Sequence, residues 1–221
     1  MSNTPLRLFL VRHGNTFEKG EIPTQVGAKT DIPLTSQGRE QARLFAECLI
    51  SQSIRPKAIY AGGLKRQIES AHIVASSLSL PSEAIHLNEK GLTEIDYGKW
   101  EGLTSEAITA EWPQEYEAWS HRAEWPPNVF VGSLEGHLQA LRQWLDHLRA
   151  SYTGGETVVG FTSNGIMRFF YALQDPTHWE QLKKQSQIED LKVKTGHFGE
   201  IWLYPHSIKI EKWNQNPRNF L

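Results

Sequence analysis

Residues 9–16, FLVRHGNT, end a continuous apolar run on Arg12 and His13, with Gly14 to let the backbone turn sharply and Asn15 behind it. A guanidinium stays charged at any working pH, and its fork of donors matches the oxygens of a phosphoryl group. An imidazole beside such cations is kept neutral, because a second positive charge there is disfavoured. Neutral imidazole is a nucleophile, able to take a phosphoryl group onto a ring nitrogen and split one displacement into two easier ones. Three further sets of polar residues also follow strand-like runs: Lys65 and Arg66 in AGGLKR, Glu94, and Thr162, Ser163 and Asn164. Two arginines, a histidine and a carboxyl group suit a dianionic phosphate ester. A carboxylic acid at Glu94 would protonate the leaving alkoxide and then, as carboxylate, activate water. No metal or other cofactor is demanded, since the arginines supply the charge stabilisation that Mg²⁺ gives other phosphoryl transferases.

These residues work together only if the fold brings strand ends to one crevice. RLFLV (7–11), KAIYA (57–61), AIHL (84–87) and ETVVGF (156–161) read as strands, the first buried on both faces. Helical periodicity fills 35–53, with Ala42, Phe45 and Leu49 on one face, and again runs from Leu64 to about Leu80. Alternating strands and helices predict an α/β fold, a mostly parallel sheet covered on both faces. Ligands of such sheets bind beyond the carboxyl ends of the strands. HFGEIWLYP and SIKIEKW predict a closing pair of strands at a sheet edge. Residues 92–150 show no strand pattern and read as a helical insertion within a single domain of residues 1–221. Its clearest helix follows Ser133, an N-cap with Glu135 in the first turn, and carries a stripe of Leu134, Leu138, Leu141, Leu145 and Leu148. EWPQEYEAWSHRAEWPP, before it, reads as too polar for core and as a lid or substrate wall.

At 221 residues with one cysteine, Cys48, the chain can bury a core without disulfides, which suits a reducing compartment. The apolar run near the N-terminus is short and interrupted by Arg7 and Arg12, so neither a signal peptide nor a membrane span is expected, and the location expected is cytoplasmic. With 23 basic and 25 acidic residues and no basic stripe, nucleic acid is not an expected partner. A monomer and a homodimer both fit.

The ordered blocks LVRHGNT (10–16), TDIPLTSQGREQA (30–42), AIYAGGLKRQIESA (58–71) and LTEIDYGKWEG (92–102) resemble the histidine phosphatase superfamily, in its phosphoglycerate-mutase-like branch. The resemblance spans essentially the whole chain. It implies a three-layer α/β/α sandwich, His13 as the phosphorylated nucleophile, Arg12 and Arg66 as phosphate ligands, and Glu94 as acid and base. Asn15, Ser163 and Asn164 are further candidates to touch the phosphate. The family usually has a second histidine where this chain has Ser163. Removing one transition-state donor typically lowers the rate about 10²-fold or more. His197 and Lys19 are the candidates to compensate. The reading is therefore a metal-independent phosphomonoesterase acting on a small phosphorylated metabolite. The alternatives are a phosphoglycerate-type mutase and a phosphate-ligand-binding protein weakened in catalysis by Ser163.

Overall fold

The computed structural model describes residues 4–186 and 191–221. In chain order the elements are β1 (Leu6–Arg12), α1 (Ser36–Ser51), β2 (Ala58–Ala61), α2 (Lys65–Ser77), β3 (Ile85–His86), α3 (Ser105–Glu111), α4 (Pro113–Arg122), α5 (Leu134–Ser151), β4 (Thr157–Thr162), α6 (Asn164–Phe169), α7 (Pro176–Ser186), β5 (Phe198–Leu203) and β6 (Ile208–Gln215). They form one sheet in the order β3-β2-β4-β1-β5-β6. The first four of these strands run parallel, whereas β5 and β6 add antiparallel at the far edge.

The central strands β1 and β4 are apolar on both faces because helices cover both. Along β1, Leu8 and Leu10 join a core with Leu141, Leu145 and Leu148 of α5. Phe9 and Val11 face the other way, onto Phe45 and Leu49 of α1 and Val74 of α2. Strand periodicity thus divides one apolar run between two cores, giving three layers, α/β/α. Ser133 caps α5 as expected, its hydroxyl accepting from the Gly136 N–H at 3.1 Å, and the leucine stripe beyond Leu134 is buried.

Two expectations need correction. The third strand is only Ile85–His86 rather than 84–87, pairing at two positions on the sheet edge, so Glu94 is delivered by a loop and a 3-10 turn at Lys90–Leu92. The tryptophan-rich stretch is also less polar than its composition implied. Trp119 is 4% exposed, and Trp112 and Trp125 pack against the larger core. Both Trp119 and Trp125 meet the edge or face of Phe130, at 5.1 and 5.2 Å between centroids, while the charged residues of α4 point to solvent. Aromatic burial wins here because one helical face gathers the rings and the other takes the charges.

The turn after β1 is held by close backbone approach. A Cβ on Gly38, in the first turn of α1, would lie 2.2 Å from Asn15 O, and one on Gly14 would lie 2.3 Å from Gly38 O. Thr35 completes the clasp, capping α1 through Gly38 N–H and donating its hydroxyl to Asn15 O. Gly38→Ala is expected to destabilise the fold by about 1–3 kcal/mol, since backbone cannot retreat as a side chain can. Thermal unfolding checks this as a melting temperature lowered by several degrees.

Candidate active site

The last register pair of β1 and β4 is Arg12 with Thr162, and the His13 N–H continues the ladder to Thr162 O at 3.1 Å. The parallel pairing therefore sets the two polar strand ends beside each other, at the carboxyl edge of the sheet. A cavity of about 830 Å³ opens there, with Arg12, His13, Glu94 and Asn164 among its lining residues.

His13 is buried, and its Nδ1 lies 2.8 Å from Gly14 O. A carbonyl only accepts, so Nδ1 carries the proton and Nε2 the lone pair. Arg66 donates to that lone pair through Nε at 3.2 Å. Burial, then Arg66 and Arg12, hold the His13 pKa well below the ordinary imidazole range. The ring is neutral, in one tautomer.

Arg66 is fully buried, with Nη1 donating to Thr30 O and Nη2 to Gly27 O. Glu101 holds that loop in place, its Oε1 accepting from Gly27 N–H, Lys29 N–H and the Thr30 hydroxyl. Arg12 donates through Nη1 to Val193 O at 2.7 Å, while its Nε is buried with no hydrogen-bond partner among the described residues. Burial lowers the Arg12 pKa to about 10 against the opposing pull of Glu94. It remains a cation at neutral pH.

Glu94 is 4% exposed. Burial raises its pKa, opposed by the Ile95 N–H, Arg66, the Gly165 N–H and Arg12. Its loop is tied down at Leu92 O, which accepts from Thr162 Oγ1 at 2.6 Å and from Gln67 Nε2 at 3.0 Å. The site thus opposes a neutral imidazole and a carboxyl group of raised pKa, with two guanidinium groups beside them, an arrangement fitted to nucleophilic and acid–base chemistry on an anion.

The remaining candidates divide. Asn15 lines the cavity, its Nδ2 donating to Gln37 and its Oδ1 accepting from Thr195, and exposed Lys19 stands at the rim. Asn164 lines it too, its Oδ1 accepting from the Val193 N–H at 2.9 Å. Ser163 is 1% exposed and does not line the cavity: its hydroxyl accepts from Gln67 Nε2 at 2.9 Å. His197 does not line it either, because its Nδ1 lies 3.1 Å from Asn214 O, toward β6. Arg66 touches the Nε2 side of the His13 ring and is not itself among the residues that line the cavity. Among the described residues, no group of three or more His, Cys, Asp or Glu side chains is placed to hold a metal ion.

Three contributors were not singled out from sequence. Arg168, in the apolar run IMRFF, lines the cavity, donates to Trp119 O and Ser120 O at the end of α4, and lies 5.1 Å over the Trp119 ring. A lone cation inside an apolar run was its signal. Tyr97 lines the cavity beside Glu94. Gly165 reads as a turn residue, but its N–H donates to Glu94 Oε2, and a Cβ on it would lie 2.4 Å from Oε1.

Residues 8–216 match the histidine phosphatase superfamily, branch 1. The chain belongs to the histidine phosphatase superfamily. As a member it is an enzyme of the phosphatase type. Phosphoserine phosphatase 1 of Hydrogenobacter thermophilus is 26% identical over 221 residues, covering 91% of this chain and 98% of that protein. The Gallus gallus 6-phosphofructo-2-kinase/fructose-2,6-bisphosphatase is 34% identical over 113 residues, 51% of this chain but only 22% of that longer protein. The mycobacterial glucosyl-3-phosphoglycerate phosphatase, solved in complex with VO3, superposes with a TM-score of 0.73 at 22% identity, over 95% of this chain and 98% of the other. Among the described residues, no helix of this superfamily member is long and apolar enough to cross a membrane.

The contact between Gln67 and Ser163 fixes what a histidine at 163 would meet. Ser163→His must displace a fully buried amide that also supports Leu92 O. The single variant is expected to lose several degrees of melting temperature, and Gln67→Ala in the same chain to recover part of that loss. A double-mutant cycle checks this as a coupling of at least about 0.5 kcal/mol.

Proposed function

We propose that the protein is a phosphomonoesterase that acts on a small phosphorylated metabolite through a phosphohistidine on His13. One observation carries the reading: the His13 tautomer is fixed by Gly14 O, so that the Nε2 lone pair faces a guanidinium in a cavity that a buried carboxyl group also lines. In the first half-reaction Nε2 bonds to phosphorus while the ester P–O bond breaks, and Glu94 delivers its proton to the departing alkoxide. In the second, Glu94 takes a proton from water as its oxygen bonds to phosphorus and the P–N bond breaks. A phosphoryl oxygen entering the site would replace the Nε2 lone pair as acceptor for Arg66 Nε, and Arg12 Nε has its donor ready. Asn164 and Asn15 would supply neutral donors, with Lys19 at the entrance. Neither Ser163 nor His197 takes part directly.

Residues 92–150 act in this reading as the wall of the substrate pocket. Tyr116, Trp119 and Ser120 of α4 line the cavity, which suits an ester carrying an organic group of appreciable size. The relatives named above support a phosphorylated metabolite as the substrate class, and a cavity of this size leaves room for water to complete hydrolysis.

His13→Ala is expected to abolish hydrolysis of p-nitrophenyl phosphate while the melting temperature stays within a few degrees of wild type; retained turnover would sink the nucleophile assignment. EDTA is expected to leave the rate unchanged, because guanidinium groups supply the charge. The pH dependence follows from the two shifts. His13 stays unprotonated to below the ordinary imidazole range, and Glu94 keeps its proton to above the ordinary carboxylate range. Hydrolysis of an alkyl phosphate, which needs the acid, should peak on the acid side of neutrality and decline as rising pH removes the Glu94 proton.

A further inference from the structure

Glu94 has two oxygens in different surroundings. Oε1 accepts one hydrogen bond, from the N–H of Ile95 at 3.0 Å. Oε2 accepts two, from the Gly165 N–H at 3.2 Å and from the Tyr97 hydroxyl at 3.4 Å. A carboxyl oxygen offers two lone pairs, so Oε2 is filled and Oε1 keeps one position open. The surroundings allow little rearrangement. Tyr97 is 2% exposed, its ring wedged edge-to-face against Phe130 at 5.0 Å and Trp119 at 6.1 Å. On the other side, a Cβ at Gly165 would lie 2.7 Å from the Tyr97 hydroxyl and 2.4 Å from Oε1, so the α6 backbone already touches both groups.

We propose that Tyr97 is a positioning residue for the acid: with the Gly165 N–H it saturates Oε2 of Glu94, so the proton that moves in the reaction is carried on Oε1. This rests on the reading of Glu94 as acid and base. Oε1–H gives its proton to the alkoxide as the P–O bond breaks and the bond from His13 Nε2 to phosphorus forms. The same oxygen later takes a proton from the attacking water as the P–N bond breaks. Tyr97 gives up no proton at any point. Its O–H stays with oxygen and steers the transferable proton to the oxygen beside it.

The hydroxyl also sets how readily that proton leaves. A donor to Oε2 favours the carboxylate, so removing it makes Glu94 hold its proton to higher pH. The charged and titratable groups around Glu94 come from several elements: Arg12 at the end of β1 with His13 beside it, Arg66 of α2, Tyr97 itself, and Arg168 of α6, which acts on Tyr97. None of these changes in Tyr97→Phe except the hydroxyl, and the phenyl ring keeps its contacts with Phe130 and Trp119.

The test is to titrate Glu94 directly in wild type and Tyr97→Phe. The ¹³Cδ resonance of labelled glutamate is followed against pH and assigned by its loss in Glu94→Gln. In parallel, the alkaline limb of kcat/KM is recorded with ethyl phosphate. The Glu94 midpoint is expected to rise by about one to two units, the value of one hydrogen bond to a charged group, and the alkaline limb to rise with it. An unmoved midpoint would overturn the proposal, as would activity reduced by one factor at every pH, which is the mark of a merely structural tyrosine. A midpoint that rises while the limb stays put would show Tyr97 bonded to a carboxyl group that is not the acid. That outcome overturns the proposal through the functional reading beneath it. Melting temperatures of both variants confirm that folded protein is being compared.

Discussion

The hydrogen bond from Arg66 Nε to His13 Nε2 is the contact on which the rest of the site depends. It joins a permanent cation to an imidazole lone pair, and it forms only while the imidazole is neutral. The structure must therefore bury a guanidinium completely, which is strongly unfavourable unless its donors are satisfied. They are satisfied by backbone: Thr30 O and Gly27 O take both terminal nitrogens. That loop is shaped by Glu101, whose carboxylate gathers Gly27, Lys29 and Thr30 onto one oxygen. A carboxylate 88 residues along the chain from the histidine thus supports, through two intermediate layers of hydrogen bonds, the guanidinium that joins burial in keeping the imidazole neutral.

Glu94 is held by the opposite balance. Burial favours its neutral form, whereas two backbone N–H groups and two guanidinium groups favour the anion. The outcome is a carboxyl group displaced upward but not fixed as a permanent acid, which a group that both gives and recovers a proton requires. Burial depresses the imidazole and raises the carboxyl in the same crevice, so one physical cause leaves a lone pair on one group and favours a proton on the other. It leaves a site with an excess of positive charge at neutral pH. Clustered like charges of this kind generally cost a fold stability, and they complement an anion.

Much of this was legible in the sequence where one physical demand dominates. The runs that became β1 and β4 are apolar on both faces, and only doubly covered strands tolerate that. Ser133 and the leucines beyond it specify α5 through a cap and a period. What escaped was decided by partners distant in sequence. The brevity of β3 reflects its position at the sheet edge, which its four residues cannot encode. The ring of His197 turns to Asn214 O, and nothing in KTGHFGE says which way it faces. Trp119 is buried and Trp125 half-buried because Phe130 waits on the far side of a turn. Arg168 was visible as a cation in an apolar run, but its clasp on the end of α4 needed the fold.

Ser163 shows why a single position is the wrong unit for judging the departure from the family pattern. Its hydroxyl is one end of a buried set in which Gln67 Nε2 donates to both Ser163 Oγ and Leu92 O, and Thr162 Oγ1 donates to the same carbonyl. Leu92 O lies two residues before Glu94, so these amide and hydroxyl donors fix the loop that carries the carboxyl group. A larger cationic side chain at 163 would occupy the volume of Gln67 and remove one of the two supports. The neutral pair therefore supports the loop that carries Glu94, where a histidine would have added a titratable donor instead. Both guanidinium groups of the site are desolvated, and a desolvated cation acts more strongly on an anion than an exposed one does. Donors aligned before a substrate arrives can offset a missing charge, because nothing is then spent on ordering them as the reaction proceeds.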